Sequence, residues 1–167
     1  MTTTKTQKKT STTKPSTSKK TFTVSEELPI NPFTFEVLNL VSKQRTNAKK
    51  VEVLRKYDHE RFREFLRLAF NPNVTFDTPI PNYRPAVEPA GLNYTYIHNE
   101  VPKLYRFIKD HPLRSPDLSE KKLSSLLVVL LESLHKDEAS LLVNLFKKDL
   151  GVKYLTKQVV MEAFPGI

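Results

Sequence analysis

The sequence predicts an all-α protein: a compact bundle of six to seven helices with a long Pro-rich loop and a disordered N-terminal arm. Apolar residues recur at spacings of three and four through most of the chain, most clearly between Leu123 and Leu134. Good N-capping residues, such as Ser119 and Thr156, precede these segments. No segment shows the alternation expected of a strand. A chain of 167 residues is long enough for one domain with a core.

The N-terminal arm is predicted for residues 1–24, and a single helical domain for residues 25–167. Residues 1–23 contain one aromatic residue, Phe22, and no Val, Ile or Leu, and they carry six lysines and no acidic residue. We expect the arm to be disordered, because it cannot bury enough apolar surface to offset the entropy of ordering. It contributes +6 of the net charge of +9. The helical domain is therefore only mildly basic.

In the first half of the domain, three helices are predicted from their N-terminal signals. Asn31 and Pro32 are expected to begin the first helix, which extends to about Gln44. Thr46 and Asp58 are the expected N-caps of the second and third helices. Residues 71–93 contain five prolines, so this segment is predicted to be an extended loop held on the core by aromatic residues such as Phe76.

In the second half, a helix is predicted over residues 96–110, although Pro102 implies a boundary or kink within it. Ser119 is expected to cap the next helix. Val128 and Val129 widen its leucine stripe, which predicts a central helix buried on most sides. The following helix is expected to begin at Asp137 and Glu138 and to stop at Gly151, and the last to cover Lys157–Ala163 after the Thr156 cap.

No catalytic machinery is recognisable in the sequence. The chain has no cysteine and three glycines, so it offers neither a thiolate nucleophile nor a glycine-rich phosphate loop. Its four histidines show no metal-ligand spacing, and pairs such as Asp137/Glu138 fit helix starts better than a general acid and base. The longest apolar run, Leu126 to Leu131, is too short for a membrane span. We therefore expect a non-enzymatic protein without metal, cofactor or membrane partner.

The remaining functional signal is cationic. Lysines and arginines, Arg63 and Arg67 among them, recur near the ends of predicted helices, where they can contact phosphates as positioned charges. The alternative is a solvated surface on which each lysine has an acidic partner. The candidate nucleic-acid-binding residues are Lys49, Lys50, Lys121, Lys122, Lys147, Lys148, Lys153 and Lys157.

Two groups of residues carry a family resemblance. Near the C-terminus an apolar helix runs into an Asp-Leu pair, a glycine follows, and a last helix ends in Phe-Pro-Gly; these residues are Asp149, Leu150, Gly151, Val152, Ala163, Phe164, Pro165 and Gly166. In the first half the corresponding segments are 37–42, 50–58, 62–70 and the loop at 78–81. Together they resemble the N-terminal helical DNA-binding domain of ATP-dependent DNA ligases, especially phage ligases, over about residues 33–167.

The resemblance implies a stand-alone small protein of a large tailed phage that grips duplex DNA through backbone contacts. It also implies that the protein is not an enzyme, because ligase catalysis needs the KxDG adenylation motif of a nucleotidyltransferase domain, and this sequence contains neither. Such a protein is expected in the host cytoplasm or packaged in the virion. The alternative on the same scaffold is an adaptor that binds a phage or host protein and has lost DNA binding.

Overall fold

The computed structural model describes residues 27–89, 92 and 94–167. The predicted arm, residues 1–24, lies outside them. The described residues confirm the all-α class: they form seven α-helices and one 3₁₀ segment, and their only β-type pairings are two isolated bridges. The helices are α1 (Thr34–Lys43), α2 (Asn47–Lys56), α3 (Glu60–Phe70), α4 (Ile97–Glu100), α5 (Glu120–Ser133), α6 (Lys136–Phe146) and α7 (Lys157–Ala163), with the 3₁₀ segment at Val101–Phe107 between α4 and α5.

Three of the predicted N-caps are confirmed. The hydroxyls of Thr46, Ser119 and Thr156 accept hydrogen bonds from backbone N–H groups in the first turns of α2, α5 and α7. A side-chain oxygen at this position satisfies a donor that the helix itself leaves unpaired. Local sequence was therefore sufficient to place these three helix starts.

Two predicted helix starts are wrong. α1 begins at Thr34 rather than after Asn31, and the Glu36 carboxylate closes its first turn by accepting a hydrogen bond of 2.9 Å from the Phe33 N–H. α3 is capped by His59, whose Nδ1 accepts from the Phe62 N–H at 3.2 Å. Asp58 is instead paired with Arg63 at 3.1 Å.

The single helix predicted over residues 96–110 is a one-turn α-helix, α4, followed directly by the 3₁₀ segment. Pro102 lies at the start of that segment, where its missing N–H costs least. The 3₁₀ segment still buries Val101, Leu104 and Phe107. The apolar spacing thus identified Val101 and Leu104 as buried, but it identified neither Phe107 nor the type of helix.

The prediction that α5 is central and buried on most sides is also wrong. Leu127 and Leu131 are fully buried, but Val129 is 67% exposed and Leu126 is 36% exposed. α5 packs against α6, and it is α6 that also contacts α1, α3 and α4. The central helix is therefore α6, and α5 covers one side of it.

α6 ends at Phe146, earlier than the predicted stop at Gly151. Lys148 adopts the left-handed conformation (φ +59°), and the chain turns back through hydrogen bonds from Lys148 N–H to Leu145 O and from Asp149 N–H to Asn144 O, each 3.0 Å long. These two bonds form a Schellman motif, in which glycine is the usual left-handed residue. Gly151 is also left-handed (φ +66°), but it belongs to the following turn.

The proline-rich loop is anchored as expected. Its described part contains no helix or strand, and the Phe76 ring stacks on the Phe146 ring with centroids 4.3 Å apart. Further along the chain, Arg114 holds the loop through both oxygens of Asp77 at 2.8 and 2.9 Å. Among the described residues, no helix is long and apolar enough to span a membrane.

Candidate nucleic-acid interface

The eight candidate lysines divide into two groups. Two of them, Lys50 and Lys148, have ammonium groups bound within the fold. The other six are exposed, and among the described residues none has an acidic partner within 4 Å; they are Lys49, Lys121, Lys122, Lys147, Lys153 and Lys157.

Lys50 is buried, with 2% of its surface exposed. Its Nζ donates a hydrogen bond of 3.3 Å to the carbonyl oxygen of Tyr154, and it lies 5.1 Å from the centre of the Tyr154 ring. Lys50 precedes Leu54 by four residues, so it belongs to the apolar face of α2 that packs against α7. The four-residue spacing from Leu54 was the sequence signal that Lys50 could be buried. Because Lys50 is buried, it is not a candidate DNA contact.

Lys148 is also a structural residue. Its Nζ donates hydrogen bonds of 2.6 Å to Leu68 O and 2.9 Å to Asn71 O, at the C-terminal end of α3. A cation is favourable there, because the last carbonyls of a helix are unpaired and carry partial negative charge. Partial burial lowers the pKa of the Lys148 ammonium. Because the Lys148 ammonium is already bound to these two carbonyl oxygens, Lys148 is not a candidate DNA contact either.

The six exposed lysines are spread over several elements. Lys49 lies on α2 beside a groove against α1, and Lys153 lies on another groove between α1 and α6. Lys121 and Lys122 are in the first turn of α5, and Lys147 is the C-cap of α6. No described groove brings Lys49, Lys121 and Lys147 together.

The sixth lysine, Lys157, faces an arginine. It is the first residue of α7 and lines a groove of about 330 Å³ with Arg67 from the last turn of α3. No acidic side chain lines this groove; Ile167, the last residue of the sequence, does line it, but its terminal carboxylate is not within 4 Å of either cation. The two other arginines of α3 are paired, Arg61 with Glu64 and Arg63 with Asp58, each at 3.1 Å, whereas Arg67 has no such partner. Arg67 is among the helix-end cations of the sequence, but the candidate set contained only the eight lysines.

Glu138, predicted only as a helix-start residue, is a fully buried carboxylate. Its two oxygens accept hydrogen bonds from the Thr34 N–H at 2.8 Å and the Ile97 N–H at 2.6 Å, at the starts of α1 and α4. Burial raises the pKa of this carboxyl to about 7, although the two backbone donors oppose that change. Both oxygens are engaged by the backbone, so the role visible in the structure is to join helix starts.

Two of the histidines, which looked scattered in the sequence, are neighbours. The ring centroids of His59 and His98 are 5.4 Å apart, and burial lowers the pKa of both imidazoles. The Nδ1 of His59 is occupied as the α3 cap, while the buried Nδ1 of His98 has no hydrogen-bond partner. In the part of the chain that the structure describes, no three His, Cys, Asp or Glu side chains are grouped as metal ligands.

The fold and the candidate interface define an all-helical domain with unpaired surface cations. The chain belongs to DUF6433, a family of unknown function, whose model matches residues 37–152. This match covers most of α1 through α6 and includes Lys49, Lys121, Lys122 and Lys147, but not Lys153 or Lys157. No curated protein matches the chain.

Proposed function

We propose that this protein binds the sugar–phosphate backbone of duplex DNA and catalyses no reaction on it. The proposal depends on one observation: among the described residues, the six exposed candidate lysines have no acidic partner. An unpaired ammonium can approach a phosphate and release a condensed counterion without first breaking an ion pair. In this proposal, the six lysines of the arm add non-specific affinity.

The distribution of ion pairs supports this proposal over a purely solvated surface. Other cations of the domain are paired, as Lys56 is with Glu27 at 3.7 Å and Lys103 with Glu100 at 2.8 Å. The domain therefore has acidic residues available as partners, yet among the described residues none of them lies within 4 Å of the six exposed candidate lysines. Contacts of this kind position a protein on a duplex without reading its bases, so we expect little sequence preference.

The resemblance to the N-terminal domain of DNA ligases supports the same function, since that domain binds duplex DNA by contacting the sugar–phosphate backbone of the duplex. We include phage origin, and a location in the host cytoplasm or the virion, as parts of this proposal. Proteins that bind phosphates electrostatically lose affinity steeply as salt rises. Salt dependence is therefore the most direct measurement.

The experiment is fluorescence anisotropy with a labelled duplex and the full chain across a series of salt concentrations. In one variant the six arm lysines are changed to Gln; in a second, Lys121, Lys122, Lys147 and Lys153 are changed to Gln. The second variant should bind more weakly, and the slope of log K against log salt should become shallower by about 0.9 for each phosphate that the protein no longer neutralises. Lys56→Gln with Lys103→Gln is the control, because both lysines are ion-paired.

The arm variant separates the domain from the arm. If the domain contributes, this variant binds duplex at low salt with lower affinity than the unmodified chain. If it does not bind at all, the helical domain makes no DNA contact and the proposal fails. If the four-lysine variant and the control have equal slopes, the exposed lysines are not the residues that bind DNA.

A second candidate function is the protein adaptor, favoured by apolar side chains that the fold leaves exposed. Leu126 and Val129 lie three residues apart on the outer face of α5, and Val87 in the proline-rich loop is 91% exposed. Phe76, in contrast, is held in the core by Phe146 and is not an interface residue. A partner that is retained after nuclease treatment and no longer binds Val129→Glu would favour the adaptor.

A further inference from the structure

The groove between α3 and α7 has the composition of an anion site. Arg67 contributes a guanidinium from the α3 side, and Lys157 an ammonium from the α7 side. Both side chains are exposed, and neither has an acidic partner within 4 Å among the described residues. The nearest carboxylate along α3, that of Glu64, is already paired with Arg61.

The polar atoms around the turn at the end of α3 also suit an anion. The Asn71 Oδ1 accepts a hydrogen bond of 2.9 Å from the Asn73 N–H, which leaves the Asn71 amide N–H groups as the free polar atoms of that side chain. Asn73 is exposed on the same groove. Amide N–H groups beside two cations are the donors that a tetrahedral oxyanion requires.

The C-terminal end of a helix normally repels anions, because its last carbonyls carry partial negative charge. In this fold that repulsion is offset by Lys148. Its ammonium binds the carbonyl oxygens of Leu68 and Asn71, beside the groove wall. Lys148 thus compensates the partial negative charge of these two carbonyls, although it does not itself line the groove.

We propose that this groove binds a phosphate group between Arg67 and Lys157. A guanidinium can hold two phosphate oxygens at once, and the ammonium can hold a third as a point charge. The volume of about 330 Å³ admits a phosphate with attached atoms. The phosphate can belong to the backbone of a nucleic acid or be a free ion. Binding of a nucleic-acid phosphate rests on the proposed function, whereas binding of a free phosphate ion does not.

The test is an NMR titration of the ¹⁵N-labelled full chain with inorganic phosphate, compared with sodium chloride at equal ionic strength. Phosphate should shift the backbone amide signals of Asn71, Asn73 and Gly166 to saturation, and chloride should not. The double variant Arg67→Gln/Lys157→Gln should weaken phosphate binding at least about tenfold, since each charged hydrogen bond contributes that order of affinity. Lys56→Gln/Lys103→Gln removes the same charge elsewhere and should leave phosphate binding unchanged.

A second titration with an unlabelled duplex identifies the source of the phosphate. Backbone binding predicts that duplex shifts the same three amides and that added phosphate competes with it. If phosphate shifts these amides but duplex does not, the groove takes a free phosphate. If phosphate has no effect beyond that of chloride on the unmodified chain, the site does not exist, whatever the duplex does. Duplex binding that persists without shifts at these amides would leave the proposed function intact.

Discussion

The Glu138 carboxylate accepts a hydrogen bond of 2.6 Å from the backbone N–H of Ile97, although 41 residues separate the two in sequence. The same carboxylate binds the Thr34 N–H, 104 residues away. A buried acceptor on the central helix α6 therefore satisfies unpaired donors at the starts of α1 and α4. This contact joins three helices at one carboxylate, and it makes stability depend on the protonation of one side chain.

The first prediction concerns pH. Glu138 has a pKa of about 7 in the folded protein, against 4.5 for an unperturbed carboxyl. The folded state therefore binds more protons between these values, so this stabilisation is fully present below pH 4.5 and is lost as pH rises through 7. The free energy of unfolding should fall by about 3 kcal/mol, because the pKa rises from 4.5 to about 7 and each unit corresponds to about 1.4 kcal/mol. Urea unfolding at pH 5 and pH 8 measures it when the unmodified chain is compared with Glu138→Gln.

Glu138→Gln should also destabilise the fold by about 1–3 kcal/mol at pH 5, because the amide cannot accept both backbone hydrogen bonds. Because only the unmodified chain loses most of that stabilisation of about 3 kcal/mol between pH 5 and pH 8, this difference in unfolding free energy should disappear or change sign as pH rises. A difference that is the same at pH 5 and pH 8 would show that Glu138 does not titrate in this range.

The second prediction concerns His98. Burial lowers the pKa of its imidazole from 6.5, with a smaller contribution from His59. The folded state then binds fewer protons than the unfolded chain, so stability is retained above pH 6.5 and is lost as pH falls through the folded pKa. NMR titration of the His98 ring protons should give a midpoint below 6.5. A midpoint at or above 6.5 contradicts the burial of this ring.

The third prediction concerns Lys148, which caps α3. Lys148→Met keeps most of the aliphatic stem but leaves the carbonyls of Leu68 and Asn71 without their donor. We expect a loss of about 1–3 kcal/mol in unfolding free energy. The neighbouring exposed residue supplies the control: Lys147→Met should change stability by no more than about 0.5 kcal/mol. Equal effects of the two substitutions would show that the cap contributes nothing.

The fourth prediction concerns the contact between α2 and α7. The Arg55 guanidinium donates hydrogen bonds to Ala163 O at 3.1 Å and Glu162 O at 2.7 Å, at the C-terminal end of α7. Arg55→Gln should cost about 1–2 kcal/mol and increase hydrogen exchange in α7. Lys56→Gln removes a charge one residue away and should leave α7 exchange unchanged. If hydrogen exchange in α7 is unchanged in Arg55→Gln, α7 packs on α2 without needing the hydrogen bonds from Arg55.

The fifth prediction separates the two faces of α5. Leu131 is fully buried, so Leu131→Ala should destabilise by about 2–5 kcal/mol, because apolar surface is no longer buried and a cavity remains. Val129 is 67% exposed, and Val129→Ser should be nearly neutral. Thermal unfolding of both variants measures this. A large loss of stability in Val129→Ser would support the buried position that the leucine stripe predicts for this residue.

The sequence by itself determined the all-α class, most of the helices and three N-caps, because helical periodicity and capping are local properties of the chain. Ser119 and Thr156 could be assigned correctly since a cap needs only the backbone that follows it. Local sequence did not identify the N-cap where two possible capping residues were adjacent. His59 rather than Asp58 caps α3, because Asp58 pairs with Arg63 instead.

Only the tertiary structure decided which charged residues are free. Lys49 and Lys50 are neighbours in sequence, but one is exposed and the other buried, since α7 covers a single face of α2. Glu138 and Lys148 have partners 41 to 104 residues away. The Arg67–Lys157 groove likewise joins residues 90 positions apart. Such pairings follow from how helices pack, and no local pattern encodes the packing partner.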